Sequence, residues 1–293
     1  MSDDRNDAPA GTLRIEMPDG TPIAVHVLGA GEPLVCIPGG PARASAYLED
    51  LAGLTAHRTL LRVDLRGTGM SPLPEDRGSL AFHRLADDLE VLREARGLDT
   101  MDLLAHSAGC FVALAYAAKH PHRVRRMVLV TPSARPFGDV EGDIATIRAS
   151  RSGEPWYAEA AAIAEELEFA PAHRRLRFDP GMRVFGYARW DERAQAHADS
   201  TDSQMSMRAM AAFAPDAEAA AELDLTGRLR EVTAPTLVLV GSLDGITGVK
   251  AGHVVADMLP NATVVEIPGA AHYPWIDTPD ALRQAVVSFL EGS

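Results

Sequence analysis

The sequence is poor in cysteine, poor in positive charge and free of long apolar runs. Cys36 and Cys110 are its only cysteines. Two cysteines give no disulfide framework and no metal-ligand pattern, and no H-x-x-x-H pair or similar spacing occurs among the histidines. No cofactor or metal is expected. The formal net charge of −13 argues against a nucleic-acid partner, which requires a basic footprint. The arginines of "HRRLRF" (173–178) make only a short cluster, as on a solvated helix face. No stretch approaches the ~20 uninterrupted apolar residues of a membrane-spanning helix, so no membrane partner is expected. The opening "MSDDRNDAPA" is polar and acidic and lacks the regions of a secretory signal. Residues 1–11 therefore read as a disordered tail, and a cytoplasmic location is expected.

What is present is an alternation of strand and helix patterns. Hydrophobic residues make up 46% of 293 residues, enough for one large domain or one domain with an insertion. "TLRIEM" and "PIAVHVL" flank "PDGT" as a hairpin. "PLVCIP" and "TLLRVD" are short apolar runs of the kind buried on both faces of a sheet. Between them, after "GGPARAS", a helical stretch ending near His57 is expected. The spacing of Leu85, Leu89 and Leu92 predicts a helix within 79–97, with Ser79 as N-cap and Gly97 as stop. "MDLLAHS" and "RMVLVTP" are strands around an alanine-rich helix, and "APTLVLVGS" and "ATVVEIP" are two more. Eight strands result. Alternating strands and helices imply a mostly parallel sheet flanked by helices on both faces, an α/β fold whose active site lies at the carboxyl ends of the strands.

The strand ends carry a possible nucleophile and its helpers. Ser107, in "AHSAG", stands directly between a strand and a helix, the context of a nucleophile elbow. A serine hydroxyl needs a general base, and the base needs an orienting acid. Asp244 in "VGSLDG" and His272 in "GAAHYPW" follow later strands, in the order Ser, Asp, His. His106 and Cys110, beside the serine, read as packing residues, as does Cys36.

The motifs "PGGPA", "DLRGTGMS", "AHSAG", "VGSLDG" and "GAAHYPW", in that order from about residue 12 onward, resemble the α/β-hydrolase-fold enzymes. The "GGP" loop is similar to that of the proline iminopeptidase branch. The resemblance implies a core domain of residues 12–134 and 232–293, with 135–231 inserted as a helical lid or cap. It also implies an oxyanion hole from the amides of Gly40 and Ala108, and a structural role for the loop of Asp64, Arg66, Gly67 and Gly69. Tyr187, Trp190 and Tyr273 are candidate walls of a substrate pocket. Three departures stand out. Ala105 replaces the first elbow glycine, Pro38 stands where members often carry His, and the iminopeptidase elbow G-G-S-W-G is absent. The expected activity is hydrolysis of a small, fairly apolar ester, lactone, thioester or amide through an acyl-enzyme. A triad-retaining cyclase, lyase or C–C bond hydrolase, or a non-enzymatic small-ligand receptor, remains as an alternative on the same fold.

Overall fold

The computed structural model describes residues 11–134, 137, 141–168, 179–213 and 217–292. The apolar runs become strands β1 (Thr12–Glu16), β2 (Pro22–Leu28), β3 (Pro33–Ile37), β4 (Thr59–Asp64), β5 (Met101–His106), β6 (Val124–Val130), β7 (Thr236–Gly241) and β8 (Ala262–Ile267). They form one eight-stranded sheet in the order β1-β2-β4-β3-β5-β6-β7-β8. Strand β2 runs antiparallel to β1 and β4, and the remaining pairs are parallel.

Successive side chains of a strand point to opposite faces, and here both faces are covered. In β5, Leu103 and Ala105 enter one core and Leu104 the other. In β7, Val238 and Val240 divide from Leu237 and Leu239 in the same way. This is why residues 103–105 and 237–240 are apolar at every position rather than at every second one. Helices α1 (Phe82–Ala95) and α2 (Gly109–Lys119) cover the first face, through Leu85, Leu89, Leu92 and Phe111. The helix Pro279–Glu291 covers the second with Leu282, Val286 and Leu290, one helical turn apart.

Two local expectations are corrected. The segment after β3 is not a helix but two 3-10 turns, Ser45–Leu48 and Leu54–Ala56. Positive φ angles at Ala42, Glu49, Leu51 and Ala52 break any longer helix there, since a right-handed helix cannot continue through a left-handed residue. Ser79 does not cap α1. It lies inside a 3-10 turn, Arg77–Leu80, capped by the Asp76 carboxylate at the Gly78 N–H, and α1 starts beyond it at Phe82. Gly97 does end the helix segment, with φ +63°. The loop after β4 is structural as expected: Asp64 accepts from the Ser45 and Met70 amides, the Ser45 hydroxyl and His26.

Between β6 and β7 the described segments are helical. They include α3 (Glu141–Ser150), α4 (Tyr157–Glu168), a 3-10 stretch Pro180–Gly186, and the helices Glu192–Asp199 and Thr201–Gln204. The "HRRLRF" cluster and the tail before Gly11 lie outside the described residues. Arg43, 2% exposed, ties the loop after β3 to this region. Its Nε donates to Gln204 Oε1 at 2.9 Å, and its Nη2 donates to the His197 carbonyl and the Ser200 hydroxyl. His197 adds a second tie. Its Nε2–H donates to the Tyr47 carbonyl at 2.9 Å, which leaves Nδ1 to accept from the Tyr187 hydroxyl at 2.7 Å.

Two predictions follow from this packing. A Cβ on Gly109 would lie 2.4 Å from the Pro38 carbonyl oxygen and 2.8 Å from that of Ile37. Both are backbone atoms that cannot rotate away, so Gly109→Ala should lower the urea-unfolding free energy by about 1–3 kcal/mol. Burial, with Arg43 nearby, holds the His197 imidazole down to about 4. The unfolded chain, near 6.5, therefore binds the proton first. Stability is intact above pH 6.5 and declines as pH falls toward 4. Between pH 7 and pH 5 this group should remove ~2 kcal/mol, and His197→Gln should flatten that part of a denaturation series.

Candidate active site

Strands β3, β5, β6, β7 and β8 are consecutive neighbours, so the loops at their carboxyl ends meet. The loop after β5 makes the sharpest turn. Ser107 has φ +54°, a left-handed conformation that costs a non-glycine residue about 1–3 kcal/mol and is held only by its surroundings. The restraints are visible. The Ser107 amide donates to the Val130 carbonyl at 2.9 Å, and the Ser107 carbonyl accepts from Cys110 as α2 begins. The turn lifts the hydroxyl out of the sheet toward the later loops.

Ser107, Asp244 and His272, expected from sequence as nucleophile, acid and base on three separate strand-end loops, are brought into one row. His272 Nε2 lies 3.0 Å from Ser107 Oγ, and His272 Nδ1 lies 2.9 Å from Asp244 Oδ2. A carboxylate only accepts, so Nδ1 carries the proton and Nε2 is free to accept from the serine. Their exposures are 8% for Ser107, 3% for His272 and 0% for Asp244. Burial pushes the Asp244 carboxyl up. The His272 ring, its hydrogen bond, and the Thr247 hydroxyl and amide outweigh this and leave it below the usual carboxylate range.

Residues not singled out in the sequence hold this row in place. Thr247 Oγ1 donates to Asp244 Oδ2 at 2.6 Å, and the amides of Ile246 and Thr247 donate to Oδ1. Thr131, just past β6, donates to the His272 carbonyl at 3.0 Å. The 3-10 stretch reaches both later loops: the Phe185 carbonyl accepts from the Gly245 amide and the Gly186 carbonyl from the His272 amide. Only Thr247 had a local signal, a hydroxyl three positions after an aspartate at a turn.

The loop after β3 lies directly against the elbow. A Cβ on Gly39 would sit 2.5 Å from the His106 carbonyl oxygen and 2.9 Å from the Ser107 Cβ. Gly40 has φ +121°, open to glycine and hostile to other residues. Among the described residues, no hydrogen bond engages the amides of Gly40 and Ala108, whereas the Gly39 amide donates to the Tyr47 hydroxyl. The three aromatics stand close by. Tyr273 stacks on Tyr187 at 4.9 Å, and Trp190 packs on Tyr187 at 5.5 Å. The Tyr187 hydroxyl is already committed to His197. Cys36 and Cys110 are buried in the core. No described helix is long and apolar enough to cross a membrane.

Comparison with known proteins agrees with the fold. Residues 32–279 match the family model described as alpha/beta hydrolase fold. The chain is 24% identical over 265 residues to a proline iminopeptidase of Heyndrickxia coagulans, covering 89% of this chain and 91% of that protein. Among solved structures, a thermophilic esterase from Thermogutta terrifontis, bound to malate, superposes with a TM-score of 0.69 at 25% identity. It covers 97% of this chain and 99% of its own. An esterase from Rhodococcus sp. ECU1013 gives a TM-score of 0.69 at 26% identity, covering 96% and 98%. With the family model spanning most of its length and the sheet, elbow and strand-end loops built as described, the chain belongs to the α/β-hydrolase-fold family.

Proposed function

We propose that the chain is a serine hydrolase that cleaves a small, fairly apolar ester, lactone, thioester or amide through an acyl-enzyme. The observation that carries this reading is the row Ser107 Oγ–His272 Nε2–His272 Nδ1–Asp244 Oδ2, with contacts of 3.0 and 2.9 Å, on a left-handed elbow. The Ser107 hydroxyl attacks the substrate carbonyl carbon as its proton passes to His272 Nε2. Asp244 stabilises the imidazolium and keeps the Nδ1–H tautomer. The proton then moves from Nε2 to the leaving group, the acyl group stays on Ser107 Oγ, and water, activated by the same histidine, releases it.

Negative charge develops on the carbonyl oxygen during each attack. The amides of Gly40 and Ala108 are the proposed donors, and their freedom from other hydrogen bonds supports this. Ala108 also leads into α2, where unpaired N–H groups favour an anion. Each such donor is typically worth about 3–4 kcal/mol of barrier.

Residues 135–231 act as the lid in this reading. Support comes from the contacts of Phe185 and Gly186 with the acid and base loops, and from the low exposure of all three reacting side chains. A dry site strengthens the electrostatics of the charged intermediate. Tyr187, Trp190 and Tyr273 would contribute apolar wall. Arg43 directs Nε and Nη2 to neutral protein acceptors, which fits a neutral substrate better than an anionic one.

Ser107→Ala should abolish hydrolysis of p-nitrophenyl butyrate, by about 10³-fold or more, while circular dichroism and melting temperature stay those of wild type. Wild-type turnover by this variant would overturn the reading. Asp244→Asn presents an NH₂ group where Nδ1–H now donates and favours the wrong tautomer, so a kcat loss of about 10⁴-fold is expected. A fluorophosphonate should label Ser107 in the wild type. Absence of label would place the chain among small-ligand receptors instead.

A further inference from the structure

A second line of buried hydrogen bonds runs beside the reacting row. The Gly39 N–H donates to Tyr47 Oη at 2.7 Å. Tyr47 Oη lies 2.7 Å from His106 Nδ1, and His106 Nε2 lies 2.9 Å from the His272 carbonyl oxygen. An amide N–H can only donate and a carbonyl oxygen can only accept. One proton arrangement therefore satisfies the whole line. Tyr47 donates to Nδ1, and a neutral His106 donates from Nε2. Burial, with the His272 ring next to it, holds His106 well below the usual histidine range, which keeps it neutral. Both side chains are buried.

The line joins three loops that the sequence keeps far apart. It starts on the oxyanion loop, passes through the residue before Ser107, and ends on the backbone of His272. A third contact fixes its middle. The Tyr47 carbonyl accepts from His197, and the Arg43 guanidinium lies 4.3 Å over the Tyr47 ring. Packing alone does not require these polar groups. His106 and Tyr47 lie 4.8 and 6.0 Å from the Trp275 ring, where apolar rings would pack as well. Buried polar groups carry a desolvation cost unless bonded, and here each bond ends on a loop of the site.

We propose that Tyr47 and His106 are positioning residues of this site, setting the oxyanion loop and the base in register through one shared hydrogen-bond line. The proposal rests on the reading of Ser107 as the nucleophile. The His106 ring lies 4.7 Å from the His272 ring, but neither side chain hydrogen-bonds to Ser107 Oγ, the His272 ring nitrogens or Asp244. They act through the placement of Gly40 and His272, where a displacement of about 1 Å can cost about 100-fold in rate.

The test is p-nitrophenyl butyrate hydrolysis by the full chain and four variants. Tyr47→Phe keeps the ring and removes the hydroxyl that serves both Gly39 and His106. Its kcat should fall about 10–100-fold, with KM within about twofold of wild type. A merely structural residue would lower the melting temperature and leave the kcat of the folded fraction alone. At position 106, Gln can place an N–H near the Nε2 site and Asn can place an acceptor near the Nδ1 site. His106→Gln should therefore retain clearly more kcat than His106→Asn, because it restores donation to the His272 carbonyl. Folded Tyr47→Phe and His106→Asn variants with wild-type kcat, beside an inactive Ser107→Ala, would overturn the positioning proposal alone. An active Ser107→Ala would overturn the hydrolase reading and this proposal with it. Nitrogen-15 spectra of the wild-type histidine rings give an independent measure that needs no variant to fold. An Nε2–H tautomer at His106 at neutral pH supports the line, and an Nδ1–H tautomer or an imidazolium overturns it.

Discussion

The approach of the loop after β3 to the elbow after β5 constrains everything around it. Backbone lies on backbone here, with no side chain between. Gly39 has the His106 carbonyl where its Cβ would be, and Gly109 has the Pro38 carbonyl. The contact requires β3 and β5 to be adjacent, which the sheet order provides, and it requires Ser107 to turn through positive φ so that α2 can leave the sheet at once. A strained serine is kept because its neighbours leave it no other path: its amide is bonded to β6 and its carbonyl to the first turn of α2. Strain and crowding together place one hydroxyl and two free amides at the same edge.

The other half of the arrangement comes from the far end of the chain. Strands β7 and β8 extend the sheet beyond β6, and their loops turn back over it. Thr131 at the end of β6 bridges the gap by holding the His272 carbonyl. The segment between β6 and β7 then clamps both loops through Phe185 and Gly186. His272 is therefore held through its backbone from three directions, by Gly186, Thr131 and His106, and through its ring by Asp244. In the proposed mechanism His272 alternates between two proton partners, and this division suits that role. The ring can exchange protons while the main chain stays fixed.

Much of this was legible in the sequence, and the reasons are physical. The central strands read clearly because a sheet covered on both faces needs apolar residues on both sides of a strand. The edge strands β1 and β8 carry charged and exposed residues and read through alternation and turn signals instead. Ser107, Asp244 and His272 could be picked out as candidates because strand-end loops are where an open sheet presents its chemistry, and the structure brings the three together. The segment after β3 was read wrongly as a helix. Its alanine-rich composition favours one, but the chain must instead bring the Ser45 amide and hydroxyl to Asp64. Tertiary demand overrode local propensity there, as it did at Ser79. Thr131 and Tyr47 carried no signal, because their partners lie 141 and 59 residues away in the chain. A long-range hydrogen bond leaves no local pattern to read.

Ala105 shows how a sequence motif separates into distinct physical demands. Positive φ in this turn falls on Ser107, not on 105 or 109. Position 105 is ordinary strand, paired with Ile37 and Leu129 and fully buried. Its methyl group lies in the closed core beneath α2, whose Cys110 thiol is 3.4 Å from the Ala105 carbonyl, so a larger side chain there must displace packed atoms. Alanine fits that space. Position 109 has less room still, since backbone carbonyls already occupy the space of any Cβ. The two glycines of the usual elbow pattern are therefore unequal. The first reflects limited room and tolerates alanine, while the second reflects direct contact with another loop and does not.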